Sequence, residues 1–204
     1  MSVPQILFAG EAIDRDDEPR IEMTVEEFLA LPEDGVSREL IQGVLWEHEM
    51  TVRNRFHGRS EARIAHFLAN WLDTLPSPRG AILSGEVGFR LRGDKTSLVG
   101  VDVAYVSAEL LAETGPRQTI FDRPPVLAVE IMSPSDKHEY VVKKIGVYLE
   151  VGATVWVVDP DLRTVAIFRP GRSAEFFNEE QELTCEPELP GFRVAVAVAK
   201  IFEG

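Results

Sequence analysis

Residues 126–159, VLAVEIMSPSDKHEYVVKKIGVYLEVGATVWVVD, decide the fold. The stretch begins with the almost wholly apolar run VLAVEIM and ends with the similar run TVWVVD. Apolar runs of this length without alternation are typical of strands buried on both faces of a sheet. Residues 138–150, which lie between the two runs, carry apolar side chains at helical spacing and predict a helix. The stretch therefore predicts two core strands connected through a helix.

The rest of the chain adds elements of both kinds. Thr24 and Glu27 have the spacing of a capping box and predict the start of a short helix. Residues 38–49 predict a hairpin, residues 54–75 contain a long amphipathic helix, and strands are predicted at AILSGEVGFRLR and SLVGVDVAYV. This order predicts an α/β fold with a mixed central β-sheet flanked by helices.

Length and composition suit one soluble domain. With 204 residues, 45% of them apolar, we expect a single domain over residues 24–204, preceded by a charge-rich N-terminal arm over residues 1–23. No apolar run approaches the ~20 residues that span a bilayer, so we do not expect the chain to be an integral membrane protein. The first residues do not resemble a secretory signal, and the single cysteine, Cys185, fits a reducing cytoplasm.

The net charge of −13 at first argues against a nucleic-acid partner. The acidity, however, lies at the two ends of the chain. Residues 1–50 carry 13 acidic and 3 basic side chains, whereas residues 51–174 carry 14 acidic and 16 basic side chains. The middle of the chain, which also carries the predicted core strands, is therefore compatible with binding a polyanion.

Two carboxylates interrupt strands that are otherwise apolar. Asp102 lies within LVGVDVAYV and Glu130 lies within VLAVEIM. Burial of a carboxylate costs several kcal/mol unless a partner compensates it, although either acid alone could be solvated or paired at a strand end. Two such acids on neighbouring strands favour a shared ligand, and carboxylate oxygens are what Mg²⁺ or Mn²⁺ prefers.

Three further residues could belong to the same site. In the helix after Glu130, Lys144 lies at the border of the apolar stripe and can turn towards the sheet, whereas Lys143 points nearly opposite to it. Glu39 begins a predicted strand and is either an exposed edge residue or a part of the site. His57 is in phase with the apolar stripe of the long helix, and could face the site or cap the core; the core is slightly favoured.

Five short motifs, taken together, resemble those of the Uma-two family of restriction endonucleases, and they occur in family order. They are Glu39-Leu40-Ile41-Gln42-Gly43, Val101-Asp102-Val103-Ala104-Tyr105-Val106, Glu130-Ile131-Met132-Ser133-Pro134-Ser135, Lys144 with Tyr148, and Trp156-Val157-Val158-Asp159-Pro160. The resemblance covers roughly residues 24–204. It implies the restriction-endonuclease-like fold of the PD-(D/E)XK superfamily and Mg²⁺- or Mn²⁺-assisted hydrolysis of phosphodiester bonds in DNA.

The resemblance also implies roles for individual residues. Asp102 and Glu130, with the backbone carbonyl of Ile131, would hold the metal, Lys144 would act on the attacking water, and Glu39 would bind a second ion or a metal-bound water. Three positions depart from the family pattern. They are Val101 in place of proline, Met132 in place of the lysine of (D/E)XK, and Tyr140 in place of a frequent aspartate.

Basic side chains around the long helix form a candidate DNA surface, or else a solvated helix face. The residues are Arg53, Arg55, His57, Arg59, Arg63, Lys137 and Lys143. By analogy with restriction-type nucleases we also expect a homodimer. Two alternatives stay open: a catalytically inactive relative that binds nucleic acid or protein, and a metal-dependent hydrolase of a smaller substrate.

Overall fold

The structure is a computed structural model, and it describes residues 21–48, 54–93, 95–134, 136–194 and 198–203. Residues 1–20 of the predicted N-terminal arm lie outside the described residues. Residues 21–23 run along the second strand, where Glu22 bridges to Val44 and the amide of Leu45 donates to the carbonyl of Ile21 at 2.8 Å. None of the helices in the described ranges has the length and hydrophobicity to cross a membrane.

Five helices and ten strands follow one another along the described chain. In order they are α1 Val25–Leu29, β1 Ser37–Ile41, β2 Val44–His48, α2 Arg55–Asp73, β3 Ala81–Arg92, β4 Thr96–Val106, α3 Ala108–Glu113, β5 Leu127–Ile131, α4 His138–Glu150, β6 Thr154–Asp159, β7 Thr164–Phe168, β8 Glu175–Phe177, β9 Leu183–Thr184, β10 Arg193–Val194 and α5 Ala199–Phe202. The predicted capping box is present, since Glu27 N donates to Thr24 Oγ1 at 3.2 Å and Thr24 N donates to Glu27 Oε2 at 2.7 Å.

Eight of the strands form one mixed sheet. The order is β2-β1-β4-β5-β6-β7-β8, with β3 also paired to β4, and β9 and β10 form a separate pair. β5 and β6 are parallel and are connected through α4, while the other ladders of the large sheet are antiparallel. The predicted fold class, a mixed central sheet flanked by helices, is confirmed.

Helices cover both faces of the sheet. On one face, Ile64 and Leu68 of α2 and Ile201 of α5 share a core cluster with Val129 and Trp156 of the sheet. On the other face, Val147 and Tyr148 of α4 share a second cluster with Ala128 and Val155. In β5 and β6 every residue except Glu130 and Asp159 is buried, and this burial, which their apolar runs predicted, follows from the two-sided covering.

The strand β4 changes its partner along one edge. Its first half pairs with β1 at Leu98, and its second half pairs with β5 from Val103 onward. Asp102 stands immediately before the first residue paired to β5. The ladder between β4 and its neighbours is therefore interrupted at Asp102, where β5 ends and β1 begins.

On its other edge, β4 pairs with β3 along its length, but with a bulge at the same level. The register shifts between Ser84 and Val87, so that Gly85 and Glu86 stand opposite Asp102. Both bulged residues have positive φ angles, 92° and 60°, and glycine adopts this region most readily. Bulges of this kind bend and twist a strand locally. The interrupted ladder and the bulge together set Asp102 apart from the regular part of the sheet.

Candidate active site

Asp102 occupies the gap between β1 and β5. Its side chain is 5% exposed, and its Oδ2 accepts the backbone N–H of Ile131 at 2.7 Å. A side chain thus satisfies an amide that a neighbouring strand would satisfy in a regular sheet. The carboxylate is thereby fixed at the end of β5, one residue away from Glu130.

Lys144 joins two further carboxylates from the opposite direction. Its Nζ lies 2.8 Å from Glu130 Oε2 and 3.0 Å from Glu39 Oε1. Glu39 and Lys144 are each 5% exposed, and Glu39 Oε1 also accepts the backbone N–H of Gly100 at 2.7 Å. The structure therefore brings Glu39, Glu130 and Lys144 into one buried cluster beside Asp102, and Lys144 turns inward as its position on the helix predicted.

Two tyrosines of α4 complete this cluster. The hydroxyl of Tyr148 donates to Glu130 Oε1 at 2.7 Å, and the hydroxyl of Tyr140 donates to Glu39 Oε2. Sequence reasoning treated Tyr140 only as a departure from a family pattern and named Tyr148 in the motif that it shares with Lys144. The signal was present in the spacing, because residues 140, 144 and 148 are four apart and lie on one helix face.

His57 reaches Asp102 from α2, on the other face of the sheet. Its side chain is 1% exposed, its Nε2 lies 3.4 Å from Asp102 Oδ1, and its Nδ1 lies 3.9 Å from Glu61 Oε2. The sequence named His57 among the DNA contacts, and the structure places its ring in the interior of the protein, next to Asp102. The ring is buried against the carboxylates because its position on the helix faces inward.

Burial and mutual repulsion shape the protonation of the cluster. Burial raises the pKa of Glu130 to about 8, with a further increase from the carboxylates of Asp102 and Glu39, against the lowering by Lys144. Burial also tends to raise the pKa of Asp102, but contacts with His57 and with the amide of Ile131 lower it below its usual range. The adjacent carboxylates hold the pKa of Lys144 well above its usual value despite burial, so the lysine is a cation.

The donor set suits a hard divalent ion. In the described ranges no three His, Cys, Asp or Glu side chains converge as metal ligands on their own. Mg²⁺, however, is commonly held by one or two carboxylates plus waters. Asp102 and Glu130 provide two carboxylates. The amide of Met132 donates to the carbonyl of Val158 on β6, and in a trans peptide the C=O points opposite to the N–H. The carbonyl of Ile131 therefore points away from β6, to the side of Asp102. The chemistry of these donors therefore fits the implied metal.

The predicted DNA surface is divided by the structure. Arg59 donates to the carbonyl of Phe202 at 3.3 Å and Arg63 to that of Lys200 at 3.0 Å, so both fasten α5 to α2. Of the other basic residues, Arg53 lies outside the described residues. Arg55 is exposed over the ring of Phe56, Lys137 is exposed at the N-cap of α4, and Lys143 lies 3.8 Å from Glu139.

The raised pKa of Glu130 predicts the pH dependence of stability in the metal-free protein. Between its usual value of 4.5 and about 8, the folded state binds more protons than the unfolded state, so stability falls as the pH rises through this window. Glu130→Gln should flatten the decline by up to about 1.4 kcal/mol per pH unit. Urea denaturation between pH 5 and 8 in the presence of a chelator measures how the free energy of unfolding depends on pH. Glu109→Gln, at an exposed position, is the control. Parallel curves for wild type and Glu130→Gln would contradict the assignment.

Comparisons with known proteins agree with this architecture. The sequence matches the model of the Uma2 family, described as putative restriction endonuclease, over residues 25–197. A solved structure from Anabaena variabilis, described as a putative nuclease, superposes with a TM-score of 0.73 at 21% identity, covering 88% of this chain and 97% of that chain. No curated protein matches. The structural match confirms the restriction-endonuclease-like fold. By its sequence, the chain belongs to the Uma2 family of putative restriction endonucleases.

Proposed function

We propose that the protein is a metal-dependent endonuclease that hydrolyses phosphodiester bonds of DNA. The observation that carries the proposal is the convergence of Asp102, Glu130 and Lys144, from two strands and one helix, in one buried cluster. Family membership supports a nuclease role for the chain. A homodimer and a cytoplasmic location stay predictions.

Asp102, Glu130 and the carbonyl of Ile131 would hold Mg²⁺ or Mn²⁺. When bound, such an ion lowers the pKa of a coordinated water and stabilises negative charge on a phosphate. Asp102 suits this role because its low pKa keeps it ionised, while Glu130 would lose its proton as the ion replaces repulsion from its neighbours with attraction. Tyr148 fixes the orientation of Glu130 through its 2.7 Å hydrogen bond.

Lys144 would act as a charged donor rather than as a base. An ammonium has three N–H donors, and Glu39 and Glu130 use two of them among the described residues. The third donor is available to a phosphate oxygen or to the attacking water. Since its pKa is held high, Lys144 keeps its proton and stabilises the charge that develops during the reaction.

Glu39 would hold Lys144 in place. Its Oε1 accepts from Gly100 N and contacts Lys144, and its Oε2 accepts from Tyr140. Both oxygens are therefore engaged with donors. This arrangement orients the lysine between Glu39 and Glu130. Tyr140, which stands where the family frequently has aspartate, supports Glu39 through its hydrogen bond.

Arg55 and Lys137 are the exposed cations that would contact DNA next to the cluster. Arg55 precedes His57 by two residues, and Lys137 precedes Tyr140 by three, so each lies within about one helical turn of a residue of the site. The helices α2 and α4, which they adjoin, pack on opposite faces of the sheet, so the two cations would neutralise phosphates on both sides of a scissile bond.

Loss of the metal ligands should remove metal binding and cleavage together. We expect Asp102→Asn to abolish the Mn²⁺ or Mg²⁺ binding that calorimetry detects in the wild type, and Glu130→Ala to lower metal-dependent cleavage of DNA at least about a hundredfold. Asp159→Asn, at the end of the adjacent strand β6, is the matched control and should behave as wild type. Unchanged cleavage by Glu130→Ala refutes the assignment of Glu130 as a metal ligand. Metal binding without any cleavage by the wild type would show that the protein is a catalytically inactive relative.

Replacement of Lys144 should separate chemistry from metal binding. Lys144→Met leaves the carboxylates of Glu39 and Glu130 without their cation, so we expect a loss of stability of about 3–5 kcal/mol. Calorimetry at low temperature should still detect Mn²⁺ binding, because the ion can supply the missing positive charge, while cleavage falls at least about a hundredfold. Lys95→Met, whose Nζ lies 3.4 Å from Glu22, is the control. Cleavage at the wild-type rate in Lys144→Met would contradict the role.

The exposed cations predict a salt-dependent interaction. Arg55→Gln combined with Lys137→Gln should weaken DNA binding and lower the slope of log affinity against log salt by about 1 for each lost phosphate contact. Fluorescence anisotropy at several salt concentrations measures the slope. Arg79→Gln, beyond the far end of α2, is the control, since Arg79 pairs with Asp73. An unchanged slope in the double variant would exclude Arg55 and Lys137 as contacts to DNA phosphates.

A further inference from the structure

The first turn of α2 places a histidine in the interior of the protein. Asn54 caps the helix, its Oδ1 accepting the amides of Phe56 and His57 at 2.9 Å each, which anchors the backbone of His57. The imidazole is 1% exposed. Because a buried polar ring is costly unless its nitrogens find partners, its presence here points to a task at the carboxylates.

The ring lies between two carboxylates on different elements. Nε2 is 3.4 Å from Asp102 Oδ1 on β4, and Nδ1 is 3.9 Å from Glu61 Oε2 one turn further along α2. Outer-shell carboxylates orient histidine rings in many metal sites. Here Glu61 lies on the Nδ1 side of the ring, at a distance too long for a direct hydrogen bond, and Nε2 faces Asp102.

Asp102 is consequently held through both of its oxygens. Oδ2 accepts the amide of Ile131 at 2.7 Å and Oδ1 faces His57. Each carboxylate oxygen has a second lone pair, so these contacts fix the orientation of the group and leave acceptor capacity on the side of Glu130. Without His57, the carboxylate would lose this contact at Oδ1.

We propose that His57 is a positioning residue that holds the Asp102 carboxylate in the orientation needed for metal binding. The inference rests on the proposed function for the metal, but the holding of Asp102 is a property of the protein alone. His57 acts from the face of the sheet opposite to Lys144. It takes the role of an outer-shell partner, not that of a DNA contact.

The first measurement compares the Mn²⁺ affinity of the full chain by calorimetry in three variants. We expect His57→Phe to weaken binding at least about tenfold, since outer-shell partners commonly contribute ten- to a hundredfold. His57→Gln, whose amide can reach Asp102, should stay within about threefold of the wild type, whereas His57→Asn, with the same amide one methylene shorter, should lose affinity. His66→Phe, at an exposed position of the same helix, is the control.

The second measurement needs no metal. Amide hydrogen exchange at Ile131, relative to Val129 in the same strand, should be faster in His57→Phe and in His57→Asn than in the wild type or in His57→Gln, because a loosened Asp102 protects the Ile131 amide less. A residue that only fills space would alter Ile131 and Val129 alike. If the Phe variant fails to fold, the comparison of the Gln and Asn variants still tests the proposal.

The outcomes separate the two hypotheses. Unchanged exchange at Ile131 together with wild-type Mn²⁺ affinity in His57→Asn overturns the positioning role. If the wild type binds no Mn²⁺ but Ile131 exchange accelerates in His57→Asn, His57 still holds Asp102 and the proposed function is what fails. Selective loss in His57→Asn with rescue by His57→Gln in both measurements supports the proposal.

Discussion

The strand β4 has two successive partners on one edge, and the site depends on this arrangement. β1 occupies the first half of that edge and β5 the second, so a gap arises where neither strand supplies hydrogen-bonding groups. The buried amide of Ile131 at this gap needs an acceptor, and Asp102 Oδ2 provides it at 2.7 Å. The carboxylate that would bind the metal in the proposed function therefore also completes the hydrogen bonding of the sheet.

The gap also lets helices on opposite faces of the sheet reach one cluster. α4 brings Tyr140, Lys144 and Tyr148 to Glu39 and Glu130, while α2 brings His57 to Asp102. An unbroken sheet would separate these two sets of side chains. Since the donors stand on strands and helices rather than on long loops, packing of both cores fixes the distances between them.

Much of this was predictable from local patterns. The apolar runs gave the buried strands, the two carboxylates within them marked the site, and the helical phase separated Lys144 from Lys143. Contacts distant in sequence were not predictable in this way. Arg59 and Arg63 have the same pattern as a DNA-binding face, yet they bind carbonyls of α5 about 140 residues away. The phase of His57 showed that the ring faces inward, but not that Asp102 lies there.

Charge balance within the cluster is consistent with the single divalent ion of the proposed function. Glu39, Asp102 and Lys144 together carry one negative charge while Glu130 is protonated, as its raised pKa favours. Binding of one divalent cation with loss of the Glu130 proton brings these four groups and the ion to neutrality, which burial favours strongly. A second ion would leave two uncompensated positive charges, of which one phosphodiester group could balance only one. In the proposed function, Lys144 would thus be a resident cation that favours one bound ion over two.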